Sequence, residues 1–341
     1  MRITRIQAQI RFRYSAADLI LTKKSVGSEV ALGGEVEDLS FVGLLVEGGK
    51  LMGLLSHVHL IRVFATLTAN CLSIRAKILR DHSFPYAQLV LDTSRMRRIR
   101  DFQTRFQKGS VWKSNLATEF RVAGAIHAAC HRKRFLTGLA WDLIAASALL
   151  RPGGEPKSIL MLGVAGGTAL RTLRHLLPDV SLTGIDLDGE LIDLAREEMA
   201  LGETGADIVI ADAYTWMANN RRTFDVILDD LYLAGDEDVF RAGSCDGQWL
   251  DLLKKSLAPG GILAVNLVIG AGHRKKQTAT RNDLMERFPS VRTLRTEESM
   301  NEILVAGDET ATASRLAPYA GRFTDWRDRM FWNRITVGKL K

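Results

Sequence analysis

The chain has 341 residues, 46% of them hydrophobic and 25% charged, and it carries a net charge of +7. These fractions are typical of folded proteins and exclude pervasive disorder, while the length predicts more than one domain. The three cysteines lie far apart and fit neither a disulfide framework nor a zinc site. With no signal peptide recognised at the start, we expect a cytoplasmic protein without a metal.

The first predicted domain, residues 1–150, is the basic half of the chain, with 22 Lys and Arg against 11 Asp and Glu. Its basic runs at 95–100 and 131–134 can attract phosphates or an acidic partner. No nucleic-acid motif accompanies them, so a solvated surface is favoured and nucleic acid is the less favoured partner. The apolar pattern predicts strands over 2–14, 29–36 and 86–100, with a hairpin-like segment over 86–112, and then helix over most of 119–150.

The most apolar stretch of the chain, residues 51–74, is interrupted by His57, His59 and Arg62. Each of these side chains is costly at the centre of a bilayer. A buried helix or strand pair therefore explains the stretch better than a membrane span, and we expect no membrane association.

A connector rich in proline and glycine, residues 152–156, opens the second predicted domain, residues 151–341. The predicted strands are 159–162, 181–186, 207–210, 224–229, 262–267 and 301–306, and the predicted helices are 168–177, 189–200, 214–219, 248–257 and 282–288. Strands joined by crossover helices predict an α/β fold with a Rossmann-like, doubly wound, mostly parallel sheet of six or seven strands. A smaller, mixed N-terminal domain that contains strands would precede it.

The strongest chemical signal follows the first of these strands, where small residues lead into a helix. Gly163, Gly166 and Gly167 lack side chains, so the backbone can turn sharply and approach a ligand at the helix N-terminus. A tight structural turn would use the same residues. Ala165 and Ala169 interrupt the full dinucleotide-binding pattern, so a dinucleotide is the less favoured ligand.

Two further strand ends supply polar groups for such a ligand. Asp186 lies about 20 residues on, where a ribose diol needs an acceptor, whereas Asp188 is better placed to cap the next helix. Asp212 and the backbone N–H of Ala213 can bind an adenine edge, although Asp212 alone would read as a helix cap. Because the carboxyl ends of parallel strands meet at one edge, these residues predict a nucleoside site.

The fourth predicted strand ends in two carboxylates, Asp229 and Asp230. Adjacent strand residues point to opposite faces, so only one of them is expected to face a substrate. Such an acid can orient an amine or accept its proton if its environment tunes its pKa. A cap for the following loop is the alternative.

These motifs resemble the spermidine synthase-like branch of the class I S-adenosylmethionine-dependent methyltransferase superfamily. A weaker similarity points to the β-hairpin region that precedes the catalytic domain in that family. The main resemblance covers residues 155–308 and rests on 162–168, 184–188, 211–213 and 225–230, supported by 257–263 and 300–304, and the weaker one covers 86–99 and 108–112.

The resemblance implies a class I methyltransferase fold that binds S-adenosylmethionine or its decarboxylated form, with no metal. It also implies a small-molecule acceptor and, since dimers are common in the family, a homodimer. The implied roles are the methionine and ribose side for Gly163, Ala165, Gly166 and Gly167, the ribose hydroxyls for Asp186, adenine for Asp212 and Ala213, and the acceptor-side aspartate for Asp230 with Asp229 as reserve.

Departures from the family pattern bear on the reaction. The glycine turn of aminopropyltransferases carries an Asp that engages the aminopropyl amine, and Ala165 stands there in this chain. A buried ammonium would lose its counter-charge. The family's Gln after the hairpin is replaced by Trp112, and its Tyr-His-Glu stretch by residues 140–142. The favoured hypothesis is therefore methyl transfer to a small amine or hydroxyl acceptor, with aminopropyl transfer through an altered amine pocket and non-catalytic binding of S-adenosylmethionine as alternatives.

Overall fold

A computed structural model gives the fold of the protein. It describes residues 96–123, 125–233, 241, 245, 247–269, 273–297 and 299–341, together with the backbone of the strands named below. The chain divides into two compact units, Met1–Arg97 and Arg98–Lys341. The predicted boundary at residue 151 stays a prediction, because compactness alone does not show which segment folds by itself.

The first unit is described as strands only. They are β1 (Arg5–Ile6), β2 (Ile20–Lys23), β3 (Val30–Gly33), β4 (Ser40–Glu47), β5 (Lys50–Ser56), β6 (Ser73–Ala76) and β7 (Tyr86–Asp92). Five of them form an antiparallel sheet in the order β1-β4-β5-β7-β6, and β2 pairs with β3. The apolar stretch 51–74 contributes to β5 and β6, and the residues between them lie outside the described part of the chain.

The second unit begins with an antiparallel sheet in the order β8-β9-β10-β11. Its strands are β8 (Arg97–Gln103), β9 (Lys108–Lys113), β10 (Ala117–Val122) and β11 (Ala125–His131), and the short helix α1 (Ala140–Ser147) follows. The helix predicted over most of 119–150 is therefore wrong for β10 and β11. Alanines in β11 favour helix by local propensity, but pairing with β10 overrides that preference, with Glu119 opposite Ala129.

A second sheet of eight strands carries the rest of this unit, in the order β14-β13-β12-β15-β18-β20-β19-β21. Its first five strands are parallel neighbours, and the last three pair antiparallel. The strands are β12 (Ser158–Leu162), β13 (Ser181–Asp186), β14 (Asp207–Ile210), β15 (Phe224–Asp229), β18 (Leu257–Val268), β19 (Ser290–Arg295), β20 (Asn301–Gly307) and β21 (Thr336–Lys339). The predicted Rossmann-like, mostly parallel sheet is confirmed, and it has eight strands rather than six or seven, because β19 and β21 extend it beyond β20.

Helices cover both faces of this sheet. They are α2 (Thr168–Leu176), α3 (Gly189–Glu198), α4 (Ala213–Asn219), α5 (Gly247–Lys255), α6 (Arg274–Arg287) and α7 (Trp326–Trp332), and a small hairpin of β16 (Leu233–Ala234) and β17 (Val239–Phe240) precedes α5. In β12, Ile159 and Met161 pack with α1, α2 and α3, whereas Leu160 and Leu162 pack with α4, α5 and α6. This alternation is the two-residue period of a strand buried on both sides. No helix within the described ranges is both long and apolar enough to cross a membrane.

The strand order changes direction between β12 and β15. From β12 the chain proceeds outward through β13 and β14, and it then returns to β15 and continues through β18 on the other side. The carboxyl ends of the two strands at such a switch point leave a crevice in which open α/β proteins bind ligands. The predicted site residues at the ends of β12 and β15 meet at this crevice.

Candidate active site at the switch point

Backbone hydrogen bonds join the glycine turn to its neighbouring strands. The N–H of Gly163 donates to the carbonyl of Ile185 in β13 (2.9 Å), and the N–H of Asp230 donates to the carbonyl of Leu162 in β12 (2.9 Å). Residues 163–167 then lead into α2, whose N-cap residue is Gly167, so no side chain caps this helix. Uncapped N–H groups at a helix N-terminus favour oxygen atoms or negative charge of a ligand.

Packing within the protein accounts for each glycine of this turn. Gly163 has φ +84°, and a Cβ there would lie 2.4 Å from the carbonyl oxygen of Asp230. A Cβ at Gly166 would lie 2.3 Å from the Ala128 side chain, and one at Gly167 (φ +73°) would lie 2.4 Å from Leu201. From the sequence, the missing side chains have two explanations, the approach of a ligand and a tight structural turn. The structure adds a packing cause, which is the close contact of the turn with β11, the end of β15 and the segment after α3.

We expect Gly163→Ala to lower the free energy of unfolding by at least 1 to 2 kcal/mol, roughly the cost of a left-handed conformation for alanine. The clash with the rigid carbonyl of Asp230 adds to that cost and moves the end of β15. Urea unfolding measures the change, and Gly202→Ala is the matched control, since no atom lies within 4 Å of its added Cβ. Equal stability of the two variants would contradict this account of the turn.

The carboxylate of Asp186, at the end of β13, is hydrogen-bonded to the glycine turn. One carboxylate oxygen accepts from the N–H groups of Val164 (2.8 Å) and Ala165 (2.9 Å), and the other accepts from the N–H of Asp188 (2.9 Å). Burial raises the pKa of Asp186, and these three backbone donors oppose that rise. An oxygen that accepts one hydrogen bond keeps capacity for a second, so the expected contact with ribose hydroxyls stays a prediction that this geometry permits.

Asp188 caps α3, as the sequence predicts, by accepting from the N–H of Leu191 (3.1 Å). Its other oxygen accepts from the hydroxyl of Thr104 (2.6 Å) and the amide of Gln107 (3.1 Å). Thr104 and Gln107 lie in the turn between β8 and β9, so this carboxylate also ties the antiparallel sheet to the site. No local pattern marks that connection, because the partners are more than 80 residues apart in the chain.

Asp212 caps α4 by accepting from the N–H of Thr215 (2.8 Å), which is the structural use expected of it. Two apolar side chains near these aspartates are exposed. Leu187, next to Asp186, is 37% exposed, and Ile210, two residues before Asp212, is 49% exposed. Neither Leu187 nor Ile210 was predicted as a site residue. Exposed apolar surface beside predicted adenine-binding groups is the surface that a planar base would cover.

The two carboxylates at the end of β15 have different surroundings, as their alternation predicts. Asp229 is buried at 1% exposure, and one of its oxygens accepts from the Arg241 guanidinium (2.5 Å) and the Trp249 indole N–H (2.7 Å). Asp230 is half-buried, and its Oδ1 accepts from the side-chain amide of Asn266 (2.7 Å). Asp230 is therefore the one of the pair that a ligand in the crevice can reach.

Burial raises the pKa of Asp230 to about 6, and the negative charge of Asp229 adds to the rise. The hydrogen bond from Asn266 and the positive charge of Arg241 act in the opposite direction. A carboxylate with a pKa just below neutrality is ionised at neutral pH and still basic enough to take a proton from an amine in a transition state. Asn266, Arg241 and Trp249 were missed because no local pattern marks them. The register of β18 against β15 brings Asn266 to Asp230, and Arg241 before α5 and Trp249 in α5 reach Asp229.

The other departures from the resembled family have local partners of their own. Trp112 donates to the hydroxyl of Ser110 (2.9 Å), lies under the Arg121 guanidinium (4.5 Å), and lines a groove of about 650 Å³ on the antiparallel sheet. Asp142 is fully buried and accepts from the N–H groups of Thr137 (2.8 Å) and Gly138 (2.6 Å), and burial raises its pKa to about 7. Among the residues described, no three His, Cys, Asp or Glu side chains come together as metal ligands.

Residues 142–278 match the family described as "Spermine/spermidine synthase domain". This segment, 137 of the chain's 341 residues, is similar to such a synthase domain. The predicted resemblance is confirmed for this segment, which holds the glycine turn together with Asp229 and Asp230.

Proteins similar to this segment are named for two kinds of activity. A probable polyamine aminopropyl transferase of Bifidobacterium longum is 31% identical over 137 residues, which are 39% of this chain and 28% of that protein. An eEF1A lysine and N-terminal methyltransferase homolog of Drosophila melanogaster is 26% identical over 163 residues, 45% of this chain and 24% of that protein. The chain thus spans less than a third of the length of either relative.

A solved structure shares the fold of the synthase domain. The probable spermidine synthase from Corynebacterium glutamicum superimposes with a TM-score of 0.55 at 15% identity, covering 70% of this chain and 90% of that one. At this identity the match establishes the fold alone. The expected homodimer and cytoplasmic location stay predictions.

Proposed function

We propose that the protein is a polyamine aminopropyltransferase-type enzyme, which moves an aminopropyl group from decarboxylated S-adenosylmethionine to an amine. The observation that carries the proposal is Asp230, a half-buried carboxylate beside the glycine turn at the switch point, with a pKa of about 6. The matching synthase domain and the aminopropyl transferase of Bifidobacterium longum support this donor over the methyl transfer favoured by sequence alone.

Asp230 would act as the base of an in-line displacement. The acceptor nitrogen forms a bond to the carbon attached to the sulfonium, the carbon–sulfur bond breaks, and its electron pair stays on sulfur as a neutral thioether. The proton released by the nitrogen passes to the Asp230 carboxylate. Proximity supplies most of the rate enhancement, since effective molarities lower a barrier by about 7 to 11 kcal/mol at best.

The donor would lie along the carboxyl edge from β15 to β14. The glycine turn, with Gly163, Ala165, Gly166 and Gly167, would pass under its sulfonium and ribose. The ribose hydroxyls would meet Asp186, the adenine edge would meet Asp212 and the N–H of Ala213, and the exposed side chains of Leu187 and Ile210 would cover the faces of the base.

Methyl transfer from intact S-adenosylmethionine is the second candidate, and one observation favours it. Ala165, with φ +48°, occupies the position of the family's amine-binding Asp, so the turn offers no carboxylate to an aminopropyl ammonium. The Drosophila methyltransferase homolog shows that similarity in this region extends to a protein named for methyl transfer.

We expect isothermal titration to show tighter binding of decarboxylated than of intact S-adenosylmethionine, with methylthioadenosine as the group-free reference. Asp186→Asn should weaken every ligand about tenfold or more, the effect of a lost charge-assisted hydrogen bond. Asp193→Ala, an exposed carboxylate on α3, is the matched control. Preference for the intact donor would favour methyl transfer instead. If none of the three ligands bound, both the aminopropyltransferase and the methyltransferase proposals would be wrong.

A further inference from the structure

Three polar side chains on three neighbouring strands form a hydrogen-bonded chain that ends on Asp230. The side-chain amide of Asn301 in β20 donates to Oδ1 of Asn266 in β18 (3.0 Å). The amide nitrogen of Asn266 then donates to Oδ1 of Asp230 at the end of β15 (2.7 Å). Asn266 is only 5% exposed, so its amide has few alternatives to these two partners.

We infer that Asn266 is a positioning residue: with Asn301 it fixes the carboxylate plane of Asp230 so that Oδ2 is the oxygen presented to the acceptor. The inference rests on the proposed function, in which Asp230 takes the acceptor's proton. Within the described part of the chain, the side chain of Asn266 is the hydrogen-bond donor that reaches this carboxylate.

The direction of the chain follows from the chemistry of its groups. An amide has a carbonyl oxygen that only accepts and an NH₂ that only donates. Because Asn301 donates to the oxygen of Asn266, the nitrogen of Asn266 is turned toward Asp230. A reversed Asn266 would place oxygen against a carboxylate oxygen and NH₂ against NH₂. Asn301 thus fixes the orientation of Asn266, and Asn266 fixes that of Asp230.

The backbone holds Asn266 from a second side. The hydroxyl of Tyr232 donates to the main-chain carbonyl oxygen of Asn266 (3.0 Å) and accepts from the main-chain N–H of Val268 (3.4 Å). Tyr232 lies two residues beyond Asp230, so the segment leaving β15 is joined to β18 through backbone as well as side chains. A single substitution at Asn266 would leave the Tyr232 contact in place, which separates the loss of the amide from the loss of the strand pairing.

Other charged and titratable groups around Asp230 set the background for a pH test. Asp229 on the same strand raises its pKa, and Arg241 from the segment before α5 lowers it. The phenol of Tyr232 has a pKa raised to about 12 by burial, so it stays neutral across the working range. Removing the Asn266 amide leaves all three in place, and the pKa of Asp230 must then rise, because the ionised form loses a donor.

The test compares Asn266→Leu, Asn301→Ala and the control Thr183→Val, a buried hydroxyl on β13 away from Asp230. We expect Asn266→Leu to shift the acidic limb of the kcat–pH profile upward by about one pH unit and to lower kcat at pH 8 by about tenfold or more. Asn301→Ala should shift the limb in the same direction by less. Donor affinity by titration should stay within about threefold.

A second readout keeps this inference separate from the proposed function. The carboxyl carbon of Asp230, labelled with ¹³C and assigned by its loss in Asp230→Asn, reports its pKa without any turnover. A higher pKa in Asn266→Leu, with Thr183→Val unchanged, supports the positioning role even if no transfer is found and the proposed function fails. Loss of turnover with an unmoved pKa and an unmoved pH limb would show a merely structural role and overturn the inference.

Discussion

Replacing Asp230 by Asn should lower the rate of group transfer by about a hundredfold to ten-thousandfold, the range usual for loss of a general base. Asn keeps the Oδ1 that accepts from Asn266, so the hydrogen bonds from Asn301 through Asn266 to this position stay intact. The change is confined to Oδ2, which becomes an NH₂ group. An NH₂ at that position cannot accept a proton from the acceptor amine. Donor binding should change little, since Asp186 and Asp212 are untouched.

The pH dependence follows from the same carboxylate. With a pKa of about 6, Asp230 is half protonated near pH 6, and a protonated carboxyl cannot serve as the base. Turnover by the wild-type protein should therefore fall as the pH drops through about 6, and Asp230→Asn should lose this limb along with the rate. Asp207→Asn, an exposed carboxylate at the start of β14, is the control. Near-wild-type turnover by Asp230→Asn would remove Asp230 from the mechanism.

The parallel sheet was predictable because its strands are short, apolar runs separated by helix-length segments. Local pattern carried that information, and β12, β13 and β15 lie where it indicates. The same pattern located the strand ends, so it placed Asp186, Asp212 and Asp230 at the carboxyl edge of the sheet without knowledge of any contact. What remained open there was the use of each carboxylate, and Asp212 is indeed also a helix cap.

The unpredicted features all depend on partners distant in the chain. Residues 125–131 have a helical composition, and only the pairing of β11 with β10 makes them a strand. Asn266 looks like an ordinary polar interruption of an apolar strand until the register of β18 sets it between Asp230 and Asn301. Gly166 is required by Ala128, a contact that no reading of the turn alone contains. Register and packing are tertiary properties, so a single sequence does not reveal them.

Asp229→Leu should lower the free energy of unfolding by about 3 to 5 kcal/mol, the usual cost of removing one partner of a buried ion pair. The Arg241 side chain is 7% exposed, and among the described residues its Nε and Nη1 have no hydrogen-bond partner and Asp229 is the carboxylate that pairs with it. The Trp249 indole N–H loses its acceptor as well. Urea unfolding measures the loss.

The double variant Asp229→Leu with Arg241→Met separates structure from chemistry at this pair. Replacing a buried ion pair by apolar side chains of similar size is often neutral or stabilising, so most of the stability should return. Asp229 and Arg241 also act on the pKa of Asp230 in opposite directions, so their joint removal should leave its acidic limb near pH 6. Recovery of both stability and turnover would make Asp229 a structural residue that anchors the segment before α5. Recovery of stability without turnover would instead place Asp229 in the reaction, in the reserve role that the family resemblance implies.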